Sequence, residues 1–365
     1  MILRYRRLAA SWTTVIPLLS VTVLALAWGR TAIPPVVVVV AAFFLAASVL
    51  AAVHHAEVIA HRVGEPFGSL VLAVAVTVIE VALIISLTVS GGRAASSLAR
   101  DTVFAAVMIT CNGIAGLSLL VAALRRRVAV FNAEGTGGAL ATVATLSALS
   151  LVLPSFTTSK PGPAFSPPQL AFAAIASLVL YGLFVLTQAV RHRDYFLPVE
   201  SGGEAGGGHA DPSATRHAVA SLALLLTALI AVVGLAKVES PSIEAAVRAA
   251  SLPQSAVGVV IALLVLLPET LAAVRAARQA RVQVSLNLAY GSAMASIGLT
   301  IPTIAAASLW VEGPLLLGLG PTHIVLLALT VVVATLTVVP GRATLLQAGV
   351  HLTLLAVFLL LAVSP

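Results

Sequence analysis

The feature that most constrains this chain is a series of eleven apolar runs, each about as long as a helix must be to cross a bilayer core. They lie near 12–28, 33–53, 68–90, 102–124, 137–156, 168–190, 217–236, 254–274, 284–309, 322–339 and 343–363. Hydrophobic residues make up 60% of the 365-residue chain and charged residues 9%, whereas a soluble domain carries about 25% charged residues. A soluble globule has nowhere to hide that much apolar surface, so lipid must be the solvent for much of it. The fold class expected is an all-α polytopic membrane protein of about eleven transmembrane helices. Arg4, Arg6 and Arg7 precede the first run. It reads as a helix rather than a signal peptide, because it is long and no small-x-small cleavage site follows it. The single cysteine, Cys111, excludes an internal disulfide and a cysteine-rich metal cluster.

The formal net charge is +7. Its carriers sit in short loops between apolar runs, which points to membrane orientation rather than to nucleic acid. With the N-terminus inside, fourteen of the twenty Lys and Arg residues fall inside and six outside. That asymmetry favours N-in and C-out in the expected setting, a cytoplasmic (inner) membrane. The longest polar stretch, 191–216, is rich in Gly and Ser and reads as an inside linker. It suggests a leading helix over 1–30, a five-helix repeat over 31–192, a linker over 193–216 and a second five-helix repeat over 217–365. Two homologous halves with an odd number of spans insert with opposite orientation, which makes them an inverted repeat.

Of thirteen Asp and Glu residues, eleven fall in loops or at span ends on these boundaries. The exceptions are Glu80, in SLVLAVAVTVIEVALIISL, and Glu269, in VGVVIALLVLLPETLAAV. A carboxylate at the centre of a membrane helix costs about 3 kcal/mol on insertion scales. Both residues stand in the second span of their half. Carboxylates from symmetric halves can meet near the midplane, where repulsion and desolvation raise the apparent pKa of the pair. Such a pair takes protons or a hard cation such as Ca²⁺ or Na⁺. Holding either but not both is the minimum requirement for cation/proton exchange.

A helix rich in small and polar residues follows each glutamate. The first is DTVFAAVMITCNGIAGLSLL and the second LNLAYGSAMASIGLTIPTIA. Small residues let helices approach closely, while Asn112 and Ser292 offer neutral oxygens to a cation. Thr77, one turn before Glu80, could add another. Pro268, one residue before Glu269, removes a backbone donor.

At these residues the sequence resembles the calcium/proton antiporters (CAX) of the calcium/cation antiporter superfamily, in its bacterial ChaA-like branch. The motifs are AEVIAHRVGEPFGSLVLAVAVTVIE, LARDTVFAAVMITCNGIAGL and VLLPETLAAVRAARQARVQVSLNLAYGSAMASIGLTIP. The resemblance implies one leading helix and two inverted five-helix repeats. It implies that Glu80 and Glu269 fall on the central acidic positions, Asn112 on the Asn of the first repeat, and Gly291 and Ser292 on the Gly-Ser of the second. It also implies a link between Glu57 and the proton pathway. The chain departs from the family at Val76-Thr77-Val78 and Leu266-Leu267-Pro268, where Gly-Asn-Ala is usual, and at Ala295, where Gln is frequent. The site is thus poorer in amide oxygens, and Na⁺ and K⁺ stay open beside Ca²⁺.

Other residues read as structural. His54, His55 and His61 lie with Glu57, Arg62 and Glu65 in a solvated juxtamembrane segment. Asp101 reads as a helix N-cap. Glu200, Glu204, His209 and Asp211 belong to the linker. No phosphate loop, zinc-type His spacing or Gly-x-Ser-x-Gly motif is in the sequence. The expectation is therefore a secondary antiporter of small cations and protons, not an enzyme, with no cofactor. A membrane-embedded enzyme using the buried acids is the competing class, and the oligomeric state is open.

Overall fold

In a bilayer every backbone polar group must be satisfied within the protein, and helices do this span by span. The computed structural model describes residues 2–29, 34–63, 75–85, 96–197, 212–250, 253, 255–310 and 315–364. The helices are α1 (Ile2–Ala27), α2 (Pro35–Val63), α3 (Ala75–Ile85), α4 (Leu98–Met108), α5 (Ala115–Arg126), α6 (Ala133–Ser147), α7 (Pro167–Leu186), α8 (Pro212–Ala249), α9 (Ser255–Arg278), α10 (Val282–Ala307), α11 (Pro321–Val338) and α12 (Leu345–Val363). A π-helical turn, Ile109–Ile114, joins α4 to α5 in one continuous rod. Among the described residues nine helices are long and apolar enough to cross a membrane, and two shorter apolar ones, Trp12–Ala27 and Ala75–Ile85, stand where the other two spans are expected.

The chain divides into two compact units, each drawing helices from both halves of the sequence. The first comprises Met1–Gly91 and Gly206–Ala249. In it α1, α2 and α8 pack against one another. Ser48 donates to Ser20 over 2.7 Å, and the His55 ring contacts the Thr13 carbonyl at 3.0 Å, so α1 and α2 run antiparallel. Gly234 faces Leu24 and the Lys237 ammonium lies 5.2 Å from the Trp28 ring centre, so α8 runs parallel to α1.

The second unit comprises Gly92–Ala205 and Ala250–Pro365. Its centre is the buried α4–α5 rod, against which α9, α10 and α12 pack. Glycines set the closest approaches. A Cβ on Gly258 of α9 would come within 2.9 Å of the Thr102 backbone nitrogen, and one on Gly116 of α5 within 2.9 Å of the His351 Cβ. The Ser285 hydroxyl donates to the Ala273 carbonyl at 2.8 Å and also bonds Ser118, which joins α5, α9 and α10 at one point. Two short strands, β1 (Ala129–Val130) and β2 (Arg342–Ala343), pair antiparallel and tie the end of α5 to the start of α12.

Three sequence expectations change. Both α2 and α8 extend well past their apolar runs, to Val63 and Ala249. His55 is accordingly buried against α1 rather than solvated, because neighbouring helices cover the polar continuation of α2. Asp101 is not a cap: α4 begins at Leu98 after Ser97, and the Asp101 carboxylate pairs with Arg100 at 2.8 Å while accepting from the Ser97 hydroxyl at 2.9 Å. Glu65 and the linker residues Glu200, Glu204, His209 and Asp211 lie outside the described residues.

Candidate cation and proton site

Glu80 lies on α3 in the first unit and is 3% exposed; Glu269 lies on α9 in the second unit and is 6% exposed. Both carboxylates are thus withdrawn from water in apolar helices, as their sequence settings predict. Thr77, one turn before Glu80, is buried with it. Pro268 sits inside α9 without ending it. It removes the N–H that would bond the Leu264 carbonyl, and two residues on the Thr270 hydroxyl donates to the Leu266 carbonyl at 2.7 Å. The α9 backbone is therefore modified one residue from its carboxylate.

Asn112 occupies the π turn, a form of backbone that recurs at functional sites. Its side chain is fully engaged. Its Nδ2 donates to the Thr330 hydroxyl of α11 at 2.9 Å, and its Oδ1 faces the His351 Nδ1 of α12 at 3.1 Å. The other imidazole nitrogen, Nε2, lies 3.2 Å from the Thr337 hydroxyl, which itself donates to the Val333 carbonyl at 2.8 Å. Two nitrogens thus face oxygens across the π turn, α11 and α12, in a buried network. Gly113 and Gly116 let α12 come close enough for it to form.

Gly291 and Ser292 are partly exposed on α10, and a Cβ on Gly291 would meet nothing within 4 Å. Ser292, Ser296 and Thr300 recur at four-residue spacing, so a short polar stripe marks the middle of α10. Glu57 is half-buried on α2 in the first unit. Among the described residues no group of three or more His, Cys, Asp and Glu side chains could hold a metal ion.

Sequence reasoning missed two residues. His351 sits mid-span in QAGVHLTLLAVFLLLAV, where a lone ionisable group carries the same signal as a lone glutamate. Glu239 is one of the eleven acids that the sequence puts in loops or at span ends. It is inside α8, 2% exposed, with no hydrogen-bond partner for its Oε1.

Among the described residues, nine helices long and apolar enough to cross a bilayer and two shorter apolar ones define a multi-spanning membrane protein. The sequence matches the sodium/calcium exchanger protein family over residues 33–190 and 220–364, and the chain belongs to that family. It is therefore a cation antiporter by family and not an enzyme, which removes the membrane-embedded enzyme from consideration. It is 46% identical over 357 residues to y4hA of Sinorhizobium fredii, named as an ionic transporter, covering 97% of this chain and 96% of that one. It is 32% identical over 354 residues to the sodium-potassium/proton antiporter ChaA of Escherichia coli, covering 95% and 94%. The fold is that of two solved structures. YfkE matches with a TM-score of 0.70 at 16% identity, over 97% of this chain and 99% of that one. The H⁺/Ca²⁺ exchanger CAX matches with a TM-score of 0.69 at 14% identity, over 98% and 92%.

Proposed function

We propose that the protein is a proton-coupled cation antiporter of a bacterial inner membrane, exporting Ca²⁺ against inward proton flow, with Glu80 and Glu269 carrying the exchange. The observation that carries this reading is the burial of one carboxylate in each unit, within helices that are otherwise apolar. A buried carboxylate is stable protonated or with a cation, and costly bare. Each glutamate therefore gives up its proton when it takes the cation and regains one when the cation leaves. Two negative charges balance one divalent ion. Thr77, Gly291 and Ser292 supply neutral oxygens, and Asn112 does so on turning its amide from His351. Glu57 serves the proton path. Alternating access arises from the two inverted repeats, with the N-terminus inside and the C-terminus outside.

A second reading, Na⁺ or K⁺ in place of Ca²⁺, is favoured by the name of the 32%-identical relative, a sodium-potassium/proton antiporter. It is also favoured by the engagement of the Asn112 oxygen with His351, which leaves fewer neutral oxygens for a divalent shell. Everted vesicles separate the two readings: proton movement is recorded as Ca²⁺, Na⁺ and K⁺ are added in turn. Glu80→Gln and Glu269→Gln should each abolish exchange of whichever cation the wild type moves. Wild-type exchange in either variant would contradict the assignment.

A further inference from the structure

We propose that the ends of α5 and α9 form a binding site for a phosphate-ester anion, the chemistry shared by phospholipid headgroups and soluble phosphates. A small pocket of about 40 Å³ lies between them, lined by Arg125, Arg126, Arg278 and Gln283 with apolar walls such as Val128 and Val282. No carboxylate is among its lining residues.

The backbone shapes the pocket rim. Directly after α5, Arg127 takes a φ of 67°, and in the short link from α9 to α10, Ala280 takes a φ of 63°. Both are left-handed conformations uncommon for residues other than glycine, and both turn the chain at the rim. Arg125 Nη1 donates to the Arg278 carbonyl at 3.1 Å, which holds the two helix ends together and uses one of its five N–H donors. The Gln283 amide is already committed. Its Oε1 accepts from the Asn132 N–H at 2.7 Å and its Nε2 donates to Asn287 Oδ1 at 2.8 Å. Arg125 and Arg278 thus keep guanidinium N–H groups for a ligand.

Charge balance argues that one is needed. The C-terminal ends of the two helices offer roughly half a negative charge each, against the guanidinium groups of Arg125 and Arg278 at one opening. Guanidinium forks match phosphate oxygens in pairs. The residue beside Arg125, Leu124, is 67% exposed, so an apolar side chain stands next to the pocket edge. A lipid phosphate at the pocket mouth would set its acyl chains beside Leu124, the arrangement that basic pockets between membrane helices support.

The test uses the full-length protein, purified and stripped of lipid. It is titrated with phosphatidylglycerol, with phosphatidylcholine and with inorganic phosphate, and bound species are read by native mass spectrometry. Phosphatidylglycerol should bind about tenfold or more tightly than phosphatidylcholine, and Arg278→Gln should lose about fivefold in that affinity. The triple Arg125→Gln, Arg126→Gln, Arg278→Gln variant should lose the preference. Arg278→Gln alone keeps the backbone carbonyl that Arg125 caps, so it serves if the triple variant fails to fold. Arg191→Gln, a basic residue elsewhere, should bind as wild type. Retained lipid that inorganic phosphate does not displace identifies a headgroup as the ligand, and displacement identifies a soluble phosphate. Equal binding of the two lipids together with no phosphate binding would overturn the proposal. So would wild-type affinity in Arg278→Gln, or an equal loss in Arg191→Gln.

Discussion

A buried amide in lipid must find partners for both its donor and its acceptor, or carry a penalty of about 1–3 kcal/mol. Asn112 finds them in Thr330 and His351, which stand 218 and 239 residues away in sequence. His351→Leu strips the amide oxygen of its partner and leaves the Thr337 contact unmade. It should lower stability by about 1–3 kcal/mol, read as a lower melting temperature of the purified protein. A melting temperature equal to wild type would mean that the network does not hold α12. The carboxylates were legible at this scale because a charge within an apolar run conflicts with its surroundings, whatever the fold. His351 carries a milder form of that conflict. Its meaning depends on helix pairing that sequence spacing cannot supply, because the partner helices are far apart along the chain.

At the scale of elements, small residues decide which helices touch. A Cβ on Gly116 would lie 2.9 Å from the His351 Cβ, whereas one on Gly349 would meet nothing within 4 Å. Gly116→Ala should therefore destabilise the protein by about 1–3 kcal/mol through overpacking. Gly349→Ala should be neutral, or stabilising by up to about 1 kcal/mol through helix propensity. The order of the two melting temperatures checks this, and a reversed order would contradict the α5–α12 packing. The eleven spans were legible from their apolar length. The true ends of α2 and α8 were not, because a hydropathy run stops at the first polar residues. His55 and Glu239 are covered by neighbouring helices, so those helices continue where the apolar runs end. The Asp101 cap failed for a related reason: Arg100 and Ser97, its immediate neighbours, claim the carboxylate.

At the scale of the whole molecule, the split of fourteen basic residues against six predicts an N-terminus inside and a C-terminus outside. Alkaline phosphatase fused after Pro365 should then be active. A cytoplasm-only reporter active at the same position would reverse the topology. The family ties the molecule to cation antiport, and Glu80 and Glu269 are the residues proposed to carry it. The most direct measurement is intravesicular pH in proteoliposomes of the purified protein as Ca²⁺, Na⁺ or K⁺ is added outside. The account predicts proton movement opposite to cation uptake in the wild type and none in Glu80→Gln or Glu269→Gln. Cation uptake with no proton movement in the wild type, or unchanged coupling in either variant, would contradict it.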